Sequence, residues 1–154
     1  EAVAAAAAAD GAFAAAQEDA AEVLYWRPAR RWAATVGATL PITLGQLYDA
    51  LINHGEGADD DFSVDGIFAS TAAAAGGTPA SGVDEVAWLR AFLAEREKVL
   101  RAAGGETYAR RIDFYRRLLD AGGLQLEGPI YVDAAPRADG WTIANTYHGR
   151  FTIP

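Results

Sequence analysis

Two arginines occupy positions where an amphipathic helix would normally present leucine to a core. Apolar residues recur at helical spacing between Val86 and Leu100, and Arg96 falls on the same stripe. A second stripe contains Arg111 in the same way, and its apolar members are Tyr108, Ile112, Tyr115 and Leu119. Because a guanidinium cannot lose its charge, a buried arginine needs carboxylate or carbonyl partners. The spacing therefore predicts a polar network inside a helical core, of the kind that often supports an active site.

The composition is that of an ordinary globular domain with an acidic surface. Of 154 residues, 51% are hydrophobic and 22% are charged, and the formal net charge is −8. An acidic chain is a poor match for nucleic acid, so we predict no nucleic-acid partner. No apolar run reaches the roughly 18 residues of a membrane span, so we predict no membrane partner.

The positions of proline and glycine, which begin and end helices, predict a series of separate helices. An alanine-rich helix is expected over 2–25, a short basic helix over 29–36, and a third from Pro41 that Gly55 ends. Further helices are expected over 66–75, from an N-cap at Asp84 to residue 103, and over 107–121, with Ser81 or Thr78 as alternative N-caps of the second of these. The basic cluster on the second helix is interpreted as a solvated face with a stacked tryptophan, with a ligand site as the alternative; it comprises Arg27, Arg30, Arg31 and Trp32.

After residue 124 the pattern changes to short extended pieces over 129–132, 141–143 and 151–153. We therefore predict a mainly α fold, a bundle-like helical lobe with a short extended C-terminal tail, and a single domain over 1–154. Methionine is absent even at position 1, and the chain begins in helix-forming sequence. We expect that a signal peptide, a pro-region or a whole lobe precedes Glu1 in the natural protein, the alternative being the loss of a tag or leader only.

A glycine-flanked segment after the third helix is the first candidate binding site. His54 ends the helix, and Gly55 and Gly57 on either side of Glu56 leave the backbone open to a ligand. The alternative is a capping turn with an exposed histidine. The carboxylates that follow, Asp59, Asp60 and Asp61, would together with Glu56 attract a cationic ligand, or form a solvated run.

A partial calcium-loop pattern follows, with Asp61, Ser63, Asp65 and Gly66 at the expected spacing. Its twelfth position, where a bidentate glutamate would close the ion's shell, is Ala72. We therefore do not favour a calcium site in this segment. The two histidines lack ligand spacing and cysteine is absent, so we predict no metal and no cofactor.

Asp49 is the candidate partner for the two arginines. It lies on the flank of the apolar face of the helix that starts at Pro41, from where it could reach a neighbouring helix. The alternative is a salt-bridge network with a structural role only.

Several segments in this order resemble the C-terminal portion of family 46 chitosanases, which are secreted, mostly helical, lysozyme-like glycosidases (α+β in the full family). The matching segments begin at Phe13, Tyr25, Gly45, Thr78, Trp88, Arg111 and Thr146. The most characteristic is Gly45–Gly55, which is similar to the family's Q-x-x-Y-D-A-x-x-x-H-G.

The resemblance implies endo-hydrolysis of β-1,4-linked glucosamine in chitosan, with inversion, by an extracellular enzyme. It also implies that Asp49, Arg96 and Arg111 form the family's buried network, which holds the catalytic base in place. His54 and Gly55 match the stretch that lines the substrate cleft, with Glu56 beside it.

No residue of this chain matches either catalytic carboxylate of the family. Both belong to a segment that should precede Phe13, and only twelve residues do. We therefore expect catalysis to need a missing N-terminal lobe or a second chain. Two alternatives remain: a non-catalytic module that binds an amino-sugar polymer or a protein, and a lysozyme-like enzyme that acts on peptidoglycan.

Overall fold

A computed structural model describes residues 10–57 and 61–127, together with three short strands further along the chain. For residues 107, 108, 110 and 111 and for the strands, only the backbone is described. The predictions for residues 2–9, for residues 58–60 and for most of the segment after 127 lie outside these ranges.

Residues 11–36 form one helical run with a widened turn in the middle. Helix α1 spans Gly11–Ala21, a π-helical turn spans Glu22–Trp26, and helix α2 spans Arg27–Val36. Pro28 lies in the first turn of α2, where a proline is expected when it begins a new helix, and no loop separates α2 from α1. Proline lacks an N–H and its ring crowds the carbonyl four residues earlier, and a π-helical turn just before it accommodates both without ending the helix. Gly11 is the first residue of α1, after the N-cap Asp10.

Helix α3 spans Pro41–His54, as predicted, and helix α4 spans Val64–Ala75. Helix α4 starts two residues earlier than expected because the Ser63 side chain accepts a hydrogen bond from Gly66 N and forms the N-cap. Asp65 consequently lies in the first turn, where the helix dipole favours a negative charge.

Helix α5, Glu85–Asp120, is a helical hairpin. Its N-cap is Asp84, as predicted, and its backbone leaves helical geometry at Gly104 and Gly105, the latter with φ of 67°. An ion pair joins Glu97 to Arg116, two residues that a straight helix would hold about 28 Å apart. The second segment therefore folds back along the first. Arg116 lowers the pKa of the Glu97 carboxyl by hydrogen bonding, against partial burial and with help from Arg101.

The extended tail is a small three-stranded sheet. Strands β1 (Ile130–Val132), β2 (Trp141–Ile143) and β3 (Phe151–Ile153) lie in the order β2-β1-β3. Strand β1 pairs in parallel with β2 and antiparallel with β3. The prediction of a mainly α fold with a short extended tail is confirmed.

The core lies between α2, α3, α4 and α5. A run of stacked rings passes through it, from Trp32 to Phe68 at 4.4 Å between centroids and on to Trp88 at 5.6 Å. None of the helices in the described ranges has both the length and the apolar character needed to cross a membrane.

Glu85 fixes the connection between α2 and α3. Its carboxylate accepts hydrogen bonds from Thr39 N at 2.8 Å, Thr39 Oγ1 at 2.9 Å and Leu40 N at 2.8 Å. Burial acts to raise the pKa of the Glu85 carboxyl, but the hydrogen bonds from Leu40 and Thr39 outweigh it and leave this pKa below its ordinary value of 4.5. The ionised form is thus the one that stabilises the fold.

We predict that Glu85→Gln lowers the free energy of unfolding at pH 7 by about 1–3 kcal/mol, since hydrogen bonds to a charged acceptor are lost. The folded-state pKa is lowered, so this stabilisation is present above about pH 4.5 and disappears as the pH falls through the folded-state value. Urea unfolding of wild type and variant from pH 7 to pH 3 should show the difference shrinking. Glu18→Gln, at an exposed position on α1, is the control. A difference that stays constant with pH would contradict the assignment.

Candidate functional site

Arg96 is fully buried, with 0% of its side chain exposed. The stripe on α5 that predicted this burial carries Leu89, Phe92, Leu93 and Leu100, all of them in the core. The helix therefore delivers a permanent positive charge into an apolar environment, and the neighbouring helix α3 supplies its partners.

The guanidinium of Arg96 is held on two sides by α3. Its Nη2 lies 2.7 Å from Asp49 Oδ2 and donates to the Asp49 main-chain oxygen at 3.3 Å. Its Nε donates to His54 Nε2 at 3.1 Å. Asp49 is itself only 13% exposed, and its carbonyl also accepts from Asn53 Nδ2 at 2.7 Å. The pair is thus shielded from water and fixed in one orientation.

The structure brings together Asp49, Arg96 and His54, three of the residues singled out from the sequence. Arg111 lies in the second segment of α5, but its side chain is outside the described residues. One turn later, Tyr115 Oη lies 3.3 Å from the carbonyl oxygen of Gly45, to which it donates a hydrogen bond. This contact brings the second segment of α5 against α3, one turn before Asp49.

His54 and Gly55 form the end of α3. Gly55 has φ of 66°, a left-handed conformation that L side chains rarely adopt. The chain then turns so that Gly55 O accepts from Val64 N at 2.9 Å, and the His54 ring lies 4.7 Å from the Phe62 ring. The predicted helix end is confirmed, but the imidazole is partly buried and faces Arg96, in contrast to the exposed histidine of the capping-turn alternative.

The side chain of Glu56 contacts helix α2. Its Oε1 accepts from Trp32 Nε1 at 2.8 Å and forms an ion pair with Arg31. The side chain remains 39% exposed, so a ligand can still reach it, but Arg31 offsets much of its charge. Sequence reasoning missed this contact, because a separation of 24 residues between two surface positions leaves no periodic signal.

The calcium-loop interpretation is not supported by the described part of the segment. Ser63 is an N-cap and Asp65 lies in α4, where its Oδ2 accepts from Gly57 N at 2.9 Å. A calcium loop would need both side chains turned toward a common centre. Within the described ranges, no three acidic or histidine side chains cluster as metal ligands would.

The basic cluster has the character of a solvated face. Arg27 and Arg30 pair with Glu22 on the preceding turn, and Arg27, Arg30 and Arg31 are all more than half exposed. Trp32 stacks on Phe68, as the interpretation required.

An aromatic stack beside Asp49 was not identified from the sequence. The rings of Trp26 and Tyr48 are stacked at 4.3 Å, and Tyr25 meets Tyr48 edge-on at 6.1 Å. The signal available was the Tyr-Trp pair before Pro28 together with a tyrosine adjacent to Asp49, but only the three-dimensional fold joins them. The stack fixes the π-helical turn against α3 at the level of the buried ion pair.

We predict that Arg96→Met lowers the free energy of unfolding by about 3–5 kcal/mol, because it leaves the Asp49 carboxylate buried without its cation. Adding Asp49→Leu should recover much of the loss, since an apolar pair carries no desolvation penalty. Denaturant unfolding of both singles and the double gives the coupling energy. Arg90→Met, at an exposed pair with Asp120, is the matched control and should cost less than about 1 kcal/mol. Additive losses would contradict a buried, coupled pair.

Comparison with known sequences places these positions in a family. The family model described as glycosyl hydrolase family 46 matches residues 1–130. The chain is 33% identical to a chitosanase of Bacillus subtilis (strain 168) over 130 residues, and 37% identical to one of Streptomyces sp. (strain N174) over 127 residues. These matches cover 80% of this chain, but 47% and 44% of the relatives. The chain therefore spans about half the length of the curated relatives it matches.

Solved structures agree with this relationship. A Gynuella sunshinyii family 46 chitosanase in complex with chitotetraose aligns with a TM-score of 0.72 and 39% identity, over 77% of this chain and 51% of that one. A native chitosanase from Bacillus subtilis MY002 aligns with a TM-score of 0.80 and 28% identity, over 94% of this chain and 58% of that one. A mutant of the same Bacillus enzyme, complexed with 6 GlcN, gives the same TM-score of 0.80. With the family model matching most of its length, this chain belongs to glycosyl hydrolase family 46.

Proposed function

We propose that this chain is the supporting part of a chitosanase, an enzyme that cleaves β-1,4-glucosamine linkages within chitosan with inversion. The observation that carries the proposal is the buried Arg96–Asp49 pair, at positions that resemble the family's base-supporting network. Relatives described as chitosanases, and solved family members bound to chitotetraose or 6 GlcN, support the choice of substrate class.

Inversion requires two carboxyl groups on opposite sides of the scissile bond, about 6.5–9.5 Å apart. One protonates the leaving oxygen, and the other removes a proton from the attacking water. We assign both groups to a segment outside this chain, such as an N-terminal lobe or a second polypeptide. This chain contributes the rigid wall against which the base is oriented.

Arg96 and Arg111 have a defined task in this proposal. A carboxylate that acts as base must stay ionised and correctly oriented, and a nearby guanidinium favours both. Asp49 fixes Arg96 from the opposite side, so that the guanidinium does not collapse onto the base. The family resemblance assigns Arg111, whose backbone lies in the second segment of α5, to the same network.

Helix α1 is consistent with a further segment packing on this chain. It has no buried residue, and Phe13 on its surface is 43% exposed. Eleven residues, or three turns, further along lies Leu24, which is 58% exposed, beside Val23 at 52%. A helical run with this much uncovered apolar surface is typical of an element that contacts more protein.

The charge and the polymeric substrate suggest where the protein acts. Chitosan is a polycation below about pH 6.5, and a net charge of −8 attracts it. A polysaccharide of this kind lies outside cells, so we infer that the protein is extracellular. His54, Gly55 and Glu56 are the residues of this chain that we expect to meet the sugar chain.

We predict that the chain alone releases no reducing ends from chitosan. Joining the unmatched N-terminal part of the Bacillus subtilis chitosanase ahead of Phe13 should restore hydrolysis. In that completed enzyme, Arg111→Ala should lower the rate about 100-fold, the usual effect of misplacing a catalytic group by about 1 Å. Arg117→Ala, at an exposed position on the same helix, should leave the rate unchanged.

The same assay separates the other functions. Release of oligosaccharides by the chain alone would refute the assignment of both catalytic carboxyl groups to another segment. Saturable binding without hydrolysis by any combination would indicate a binding module. Clearing of bacterial cell walls by the completed enzyme, with no action on chitosan, would indicate a peptidoglycan hydrolase.

A further inference from the structure

Two polar side chains are fully buried in the helices that carry the ion pair. Gln46 on α3 and Trp88 on α5 are both 0% exposed. Among the described residues, no group forms a hydrogen bond with the Gln46 amide oxygen or nitrogen, or with the Trp88 indole Nε1. The amide can accept two hydrogen bonds and donate two, and the indole N–H donates one. Both side chains therefore need partners that the surrounding protein groups do not supply.

Two polar contacts show how α3 lies along the first segment of α5. At the start, the Glu85 carboxylate of α5 accepts from Leu40 N at 2.8 Å, and Leu40 is the N-cap of α3. Further along, Arg96 of α5 reaches Asp49 of α3 at 2.7 Å. Because the contacts follow the same order in both helices, the two helices run in the same direction.

This alignment brings Gln46 and Trp88 to the same part of the interface. Gln46 lies about 9 Å along α3 from Leu40, and Trp88 lies about 4.5 Å along α5 from Glu85. A long side chain on a helix leans toward the N-terminus, so the Gln46 amide lies closer to the level of Trp88 than its backbone does. Both side chains are therefore between the Glu85 contact and the Asp49 ion pair.

Water has the hydrogen-bonding capacity that both groups lack. The rings of Phe68 and Phe92 stack against Trp88 at 5.6 Å and 5.4 Å between centroids, so they do not accept from the N–H in the plane of the indole. Leaving one buried polar group without any partner would lower the folding equilibrium constant about 5- to 100-fold. Internal water normally makes about three hydrogen bonds, and Thr43, one turn before Gln46, adds a buried hydroxyl to the same face of α3.

We propose that ordered water is bound inside the lobe, between α3 and α5, with the Gln46 amide and the Trp88 indole N–H as its partners. The water accepts from Trp88 Nε1 and donates to Gln46 Oε1, which joins the two helices between their other polar contacts. Since Gln46 lies one turn before Asp49, the water restrains the part of α3 that carries the ion pair. The site is independent of the proposed function.

The first test detects the water directly. In the ¹⁵N-labelled chain, NMR measures nuclear Overhauser effects between water and side-chain N–H groups in the laboratory and rotating frames. We expect cross-peaks to water at the Trp88 indole and at the Gln46 amide, with opposite signs in the two frames, as long-lived bound water gives. Equal signs would report exchange of the N–H protons with solvent and would overturn the proposal. Cross-peaks missing from either group would also overturn it.

Three variants support this measurement. Trp88→Phe identifies the indole signal among the four tryptophans, and Gln46→Met identifies the amide signal. Thr43→Val removes the neighbouring hydroxyl, whose proton exchanges with solvent and can relay a signal. The cross-peaks should persist in Thr43→Val, and their loss would overturn the assignment to bound water.

The second test is a double-mutant cycle in urea unfolding. Gln46→Met and Trp88→Phe keep most of the side-chain volume, and each removes one partner of the water and leaves the other without its bridge. Each single variant should therefore raise the unfolding equilibrium constant, by about 5- to 100-fold. The double variant should raise it by less than the product of the two effects, because neither unpaired group remains.

Gln46→Met combined with Trp32→Phe is the matched control. The Trp32 indole N–H donates directly to Glu56 at 2.8 Å, so the effects of these two substitutions should multiply. Multiplying effects for Gln46→Met and Trp88→Phe, or a single variant more stable than wild type, would overturn the shared site. Since neither test uses a substrate, failure of the site is distinct from failure of the chitosanase proposal.

Discussion

The arrangement of this lobe depends on a guanidinium that cannot give up its charge. Arg96 is fully buried; the Asp49 carboxylate, 2.7 Å away, neutralises its charge, and His54 Nε2 accepts a hydrogen bond from it at 3.1 Å. Both belong to α3, one at the middle of its apolar flank and one at its last residue. A shift of α3 along α5 by one residue would break both contacts, so the ion pair sets the register of the two helices. Apolar packing alone, which is non-directional, would fix that register less strictly.

The register of α3 against α5 also determines the position of the loop after α3. Once His54 is fixed, Gly55 turns the chain, and its carbonyl accepts from Val64 N at the start of α4. Glu56 is then placed against α2, where Trp32 and Arg31 bind it. The three consecutive residues 54–56 thereby connect α2, α3 and α4, which explains how a loop flanked by glycines can hold a defined shape. The flexible glycines provide the turn, and the polar contacts remove the freedom that glycine would otherwise leave.

The sequence was sufficient where a feature is local or periodic. Arg96 was predicted to be buried because it interrupts an apolar stripe, and Asp84 was predicted to cap α5 because its side chain is followed by a helical pattern. The π-helical turn before Pro28 could not be predicted, since it is one of several ways to accommodate a proline. The Trp26–Tyr48 stack and the binding of Glu56 depend on the approach of distant segments. The network role of Arg111 and the binding roles of His54, Gly55 and Glu56 stay predictions.

The energetics of a buried ion pair favour a role for Arg96 beyond holding the fold together. Replacing both residues of a buried ion pair by well-packed apolar side chains is often neutral or stabilising, by about 1–4 kcal/mol. A buried ion pair is therefore weak evidence for a purely structural purpose. The lobe already has an apolar core with stacked rings to stabilise it. A rigid, permanently charged group backed by a carboxylate is instead what an acid–base site needs behind its base. Under the proposed function, the helical lobe gives up some stability in order to orient a carboxylate contributed by another segment.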